Sequence, residues 1–203
     1  MDLISGQYSR PLANGKNKLY CIGWSKKLDH RSEMREGSKM DKNIVLIGMP
    51  TSGKSTVGVI LAKILGMDFV DTDIVIQQRE GSRLNEIIAE RGIDGFLEAE
   101  ENALLNTKVR NTVIATGGSA VYSNAGMEHF KKDSTIVYLK VGFEEIMKRL
   151  KDVKERGVVL RPGETLDEMY ETRTKLYEKY ADITVLEDGF SIEDTVNAVK
   201  NAL

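Results

Sequence analysis

The sequence predicts an α/β fold in which a five-stranded parallel sheet is sandwiched by helices. Two observations carry that expectation. Short apolar runs alternate with segments of helical period from residue 43 to the C-terminus, and strand-helix alternation of this kind builds parallel sheets. A glycine-rich loop joins the first apolar run to the first helical segment, as phosphate-binding α/β domains do. With 203 residues and 41% apolar content the chain has material for one domain with a full-sized core.

Asn43 to Gly48 is expected as the first strand, because its apolar run suits burial on both faces of a parallel sheet. The next segment spaces Val57, Ile60, Leu61, Ile64 and Leu65 along one helical face, with Gly66 as C-terminal cap. Phe69 to Asp71 forms a short second strand. Residues 74 to 109 are mostly helical, with breaks at Gly81-Ser82 and Arg91-Gly92, and Thr112 to Ala115 is a third strand entering Thr116-Gly117-Gly118-Ser119. Thr135 to Val141 is the fourth strand, and Phe143, Ile146, Met147 and Leu150 share one face of the helix after it. Lys151 to Glu164, basic and without apolar period, is expected as a mobile loop able to act as a lid. Leu166 to Tyr180 is helical, Asp182 to Leu186 is the fifth strand, and Ser191 with Asp194 caps a last helix.

Residues 1–39 are rich in Ser, Gly, Lys, Arg and Asn and lack a period of either kind, so they are expected as a disordered extension before a folded domain at 40–203. Asp2, Asp29, Glu33 and Glu36 argue against a transit peptide. Composition also narrows the function. The 29 basic and 31 acidic side chains nearly cancel, which is not the footprint of a nucleic-acid binder. No apolar stretch reaches the ~18 residues of a membrane helix, and a single cysteine, Cys21, suits a reducing compartment, with the cytoplasm as the default. A monomer is expected.

Chemistry concentrates at three strand ends. Gly48-Met49-Pro50-Thr51-Ser52-Gly53-Lys54-Ser55 is a phosphate-loop signature that follows a buried strand and opens a helix. Its glycines let backbone N–H groups wrap phosphate oxygens, Lys54 can reach the β- and γ-phosphates of ATP, and the Ser55 hydroxyl can ligate Mg²⁺. Asp71 and Asp73 lie at the end of the second strand. There Asp73 can orient or deprotonate an acceptor hydroxyl and Asp71 can serve as a second metal anchor, whereas a helix cap without chemistry is the plainer alternative. Gly117 and Gly118 can admit a ligand close to the backbone, or merely turn the chain. Arg156 and Arg161 in the basic loop can close over nucleotide phosphates. A GTPase or motor ATPase shares the cradle, but the short chain and the acceptor-side carboxylates favour a small-molecule kinase.

From residue 43 onward the motifs together resemble the shikimate kinases. The resemblance rests on Gly48 to Thr56, Asp71-Thr72-Asp73, Gly81 before a helix, Gly95-Phe96 with Glu100, Gly117-Gly118, Arg161-Pro162, and Arg173 with Tyr177. It implies a P-loop kinase fold with a mobile lid, ATP bound by Thr51, Ser52, Gly53, Lys54, Ser55 and Thr56, and Mg²⁺ held at Ser55. It further implies that Asp73 orients the hydroxyl to be phosphorylated, Gly118 contacts substrate hydroxyls and Arg173 grips the substrate carboxylate. Arg161 would lie on the phosphates and Arg156 near the adenine. The partner so implied is a small hydroxy acid, shikimate first.

Three positions depart from the pattern. Leu97 stands where the family has a carboxylate-binding arginine, Ser119 replaces a third glycine, and Gly163-Glu164 follow Arg161-Pro162 in place of leucines. Losing one arginine-carboxylate contact costs on the order of 2 to 5 kcal/mol when the partner is left unpaired. Three functions therefore remain open: a shikimate kinase in which Arg83 or Arg91 replaces the lost contact, a kinase of another hydroxylated acceptor, and a nucleotide-binding module without transfer.

Overall fold

In the computed structural model, which describes residues 42–151, 159–161, 163–187 and 189–203, five strands form a single parallel sheet in the order β2-β3-β1-β4-β5. The strands are β1 (Asn43–Ile47), β2 (Asp68–Asp71), β3 (Thr112–Ala115), β4 (Ser134–Lys140) and β5 (Ile183–Leu186). Seven helices flank them among the described residues: α1 (Lys54–Leu65), α2 (Thr72–Glu80), α3 (Leu84–Asn106), α4 (Asn124–Lys131), α5 (Phe143–Lys151), α6 (Leu166–Tyr180) and α7 (Ile192–Ala202). The expected extension at 1–39 and Arg156 lie outside the described residues.

Strand β1 is buried on both faces, and its side chains alternate between two cores. Val45 and Ile47 join Ile114, Ile136, Tyr138, Phe130 and Met169 on one side. Ile44 and Leu46 join Val57, Leu61, Val137, Val196 and Val199 on the other. A third cluster, Ile76, Ile87, Phe96, Ala103 and Val159, stabilises the α2-α3 pair, and Leu97 packs against it.

The expected face of α1 is rotated in the structure. Val57, Gly58, Leu61 and Ala62 are buried, while Ile60 and Ile64 are largely exposed. The cause is Gly58, where a Cβ would come within 2.7 Å of Phe69 Cε2, so the helix lies flat on β2 through its glycine. Gly66 closes α1 in the left-handed conformation, as expected of a C-terminal glycine. The break expected at Arg91-Gly92 is a kink inside α3, where Gly92 has φ 71°. Helix α4 has no counterpart in the expectations from sequence. It is short and begins at the Ser123 cap, whose hydroxyl accepts from Gly126 N and donates to Glu101 at 2.6 Å.

Candidate active site

The chain leaves β1 to one side for β2 and returns through β3 to reach β4 on the other side, so the C-terminal end of β1 is the switch point of the sheet. Open α/β sheets place ligands there. A cavity of about 690 Å³ opens at this point, and it is lined by the phosphate loop, Asp73, Gly117, Gly118, Ser119, Arg149 and Arg173.

The loop is shaped by backbone constraints. Gly48, with φ 150°, passes so close to β4 that a Cβ would lie 2.6 Å from the Leu139 carbonyl oxygen. Thr51 is held at φ 67° although it is not glycine, and its buried Oγ1 has no partner. A strained residue with an orphaned hydroxyl in this loop fits a phosphate oxygen. Lys54 Nζ donates to the Gly48 and Met49 carbonyls, each at 2.8 Å, so the ammonium folds back over the loop. Burial lowers its pKa to about 8 against the opposing pull of Asp73 and Asp71. Gly53, Ser55 and Thr56 line the cavity, whereas Ser52 is buried and its amide donates to Met49 O at 3.1 Å.

On the metal side, the Ser55 hydroxyl donates to Asp71 Oδ2 at 2.6 Å, and Asp71 Oδ1 accepts from Asp73 N at 2.9 Å. Asp71 is thus the N-cap of α2 and a partner of Ser55 at once. A hydroxyl and a carboxylate in contact are a hard oxygen pair of the kind that would suit Mg²⁺. The described residues offer no cluster of three or more His, Cys, Asp or Glu that would hold a metal without such help.

The acceptor side is built around Gly117. A Cβ there would meet Glu100 Oε1 at 2.5 Å and Asp73 Oδ1 at 2.8 Å, so two carboxyl groups converge on one point of bare backbone. The fold holds this point from below, since Gly117 N donates to Thr72 Oγ1 at 3.2 Å and Gly118 O accepts from Tyr177 OH at 2.6 Å. Burial first, and the Asp71 charge second, raise Asp73 to about 6, still ionised at neutral pH. Burial raises Glu100 to about 8 although the Ser119 hydroxyl bonds it, and its Oε1 has no partner. Arg173 is 1% exposed; its Nε donates to Tyr122 OH at 3.2 Å and its terminal nitrogen to the Val159 carbonyl.

Arg161 stands elsewhere. Its guanidinium lies 5.1 Å from the Tyr122 ring centroid and lines a second cavity with Leu97, Glu98, Glu100 and Glu101, away from the phosphate loop. Arg91 pairs with Glu80 at 2.7 Å and lines neither cavity, so it does not replace the cation missing at 97. One participant, Arg149, has no motif to reveal it. Arg149 reaches the Thr51 carbonyl at 3.3 Å from the polar face of α5, braced by Glu145 at 3.0 Å. Glu100 belongs to a recognised motif, yet its place beside Asp73 follows only from packing of α3 on α2.

The shikimate kinase family model matches residues 50–203. A shikimate kinase of Thermodesulfovibrio yellowstonii is 38% identical over 161 residues, covering 78% of this chain and 92% of its own. One from Clostridium botulinum (strain 657 / Type Ba4) is 43% identical over 142 residues, 68% of this chain and 84% of its own. The chain belongs to the shikimate kinase family. Among solved structures, shikimate kinase of Acinetobacter baumannii in complex with shikimate superposes with a TM-score of 0.71 at 29% identity, covering 79% of this chain and 92% of that one. The Aquifex aeolicus enzyme gives 0.68 at 35% identity, covering 79% and 98%. Membership makes the protein a phosphotransferase with an alcohol group as acceptor, on a nucleotide-binding P-loop fold. No helix among the described residues is long and apolar enough to cross a membrane.

Proposed function

We propose that the protein transfers the γ-phosphoryl group of ATP, with Mg²⁺, to a hydroxyl of shikimate, as a cytoplasmic monomer serving aromatic amino-acid biosynthesis. The observation that carries this reading is the convergence of the phosphate loop, Asp73, Gly117, Gly118 and Arg173 on one cavity. Arg173 holds the acceptor carboxylate, and the bare backbone at Gly117 and Gly118 lets its hydroxyls approach Asp73. Asp73 takes the proton as the hydroxyl oxygen bonds the γ-phosphorus and the bond to the ADP oxygen breaks. Lys54 leaves the loop carbonyls for the β- and γ-phosphates. Arg161 leaves Tyr122 to meet the charge on the transferring group, and Arg156 covers the adenine. Ser55 and Asp71 would hold Mg²⁺, which would supply charge neutralisation on the phosphates.

Shikimate-dependent ADP release in a coupled assay with Mg²⁺-ATP tests this directly. Turnover at millimolar shikimate is expected, and its complete absence refutes the proposal. A second reading, another hydroxylated acceptor, is favoured by Leu97 packed into the α2-α3 cluster and by the unpartnered Glu100 Oε1. It predicts that Leu97→Arg lowers the KM for shikimate about 10-fold or more, the worth of one charge-assisted contact. If that variant shifts neither KM nor acceptor preference, position 97 does not set specificity. A module that binds nucleotide without transfer has little support, since it needs no carboxylate at Asp73.

A further inference from the structure

Four cations among the described residues line the main cavity: Lys54, Arg83, Arg149 and Arg173. Lys54 and Arg149 bond the phosphate loop, and Arg173 is fixed by Tyr122 and Val159. Arg83 is different. It lines the cavity together with Gln77, Asn85 and Phe96, on the α2-α3 side, and none of the ion pairs among the described residues includes it.

Its position in the chain is also anomalous. Arg83 is the N-cap of α3, with φ -73° and ψ 155° and no side-chain cap hydrogen bond. Serine, threonine, aspartate or asparagine belongs there, because a cap must accept from the first-turn N–H groups, and a guanidinium only donates. The other half of the capping box is nevertheless present, with Arg83 N donating to Glu86 Oε2 at 2.8 Å. A helix start that keeps its glutamate but carries a side chain unable to cap gives up local stability, and such breaches of local preference cluster at functional positions. Leu97 meanwhile lines the second cavity and leaves no cation on that stretch of α3 facing the acceptor.

We propose that Arg83 binds the anionic group of the acceptor, opposite Arg173, and so supplies the specificity that position 97 does not. The inference rests on the reading of the acceptor as a hydroxy acid. The two arginines reach the same cavity from different elements, the start of α3 and the middle of α6, and a carboxylate is the group that a guanidinium fork takes.

The test is steady-state kinetics of wild type, Arg83→Ser and Arg83→Lys with Mg²⁺-ATP, using shikimate and its uncharged methyl ester as acceptors, with calorimetric shikimate binding alongside. Arg83→Ser is expected to raise the KM for shikimate by about 10- to 100-fold, as loss of a charge-assisted contact implies. The KM for ATP stays unchanged, and the preference for acid over ester disappears. Arg83→Lys, with the charge but not the fork, falls between. Serine also restores the missing cap, so the variant melts no lower than wild type; a purely structural role would not separate stability from acceptor affinity in this way. Shikimate turnover with an unchanged KM in Arg83→Ser overturns this inference alone. Neither binding nor turnover of shikimate by wild type overturns it together with the proposed function.

Discussion

At the scale of single residues, the site is held by groups kept away from their preferred states. Thr51 is in the left-handed region with an orphaned hydroxyl, Lys54 is buried against carbonyls, and Glu100 is a carboxyl group 2% exposed. Glu100 has a measurable consequence. Burial raises its pKa from 4.5 to about 8, with the Asp73 charge pushing the same way and Ser119, Arg173 and Lys54 pulling it down. Between those two pH values the folded protein keeps a proton that the unfolded chain has released, so stability falls as pH rises through the window and levels off above it. Glu100→Gln, which cannot ionise, is expected to flatten that fall and to melt higher than wild type at pH about 9. Melting curves across the window check this, and parallel pH dependences for the two proteins would sink the idea. The residue identities here were legible in the sequence, and the convergence of Glu100 and Asp73 over Gly117 was not.

At the scale of elements, helix starts are written plainly and helix faces less so. Thr165 and Ser191 each form a reciprocal capping box, with Glu168 and Asp194 respectively. The α6 box positions the helix that carries Arg173 and Tyr177. Thr165→Ala is expected to cost about 1 kcal/mol of stability, read as a shift in urea midpoint at constant slope. An unchanged midpoint would show that tertiary packing of Met169, Tyr177 and Tyr180 alone fixes α6. The buried face of α1, by contrast, departs from the one that Ile60 and Ile64 predict, because one glycine contact with Phe69 outweighs the periodicity. Helix α4 has no counterpart in the sequence expectations because it is only eight residues long, too short for a period of 3.6 to repeat convincingly.

At the scale of the molecule, a ligand in the cavity touches the loops that follow β1 and β3 and the helices α1, α2, α3, α5 and α6 at once, and so links elements that are far apart in the chain. Ligand at 100 times its Kd adds about 2.7 kcal/mol to the folded state. Mg²⁺-ATP is therefore expected to raise the melting temperature of wild type but much less that of Lys54→Ala; an equal rise in both would place the nucleotide elsewhere. The sequence by itself determined the strand-helix alternation, the phosphate loop and the family, because these depend on local period and on motifs contiguous in the chain. Only the tertiary structure decided that Arg161 rests on Tyr122, that Arg91 pairs with Glu80, and that Arg83 lines the main cavity. The physical reason is that a side chain's partner is set by which helices pack together, and one sequence position says nothing about residues brought beside it from another element.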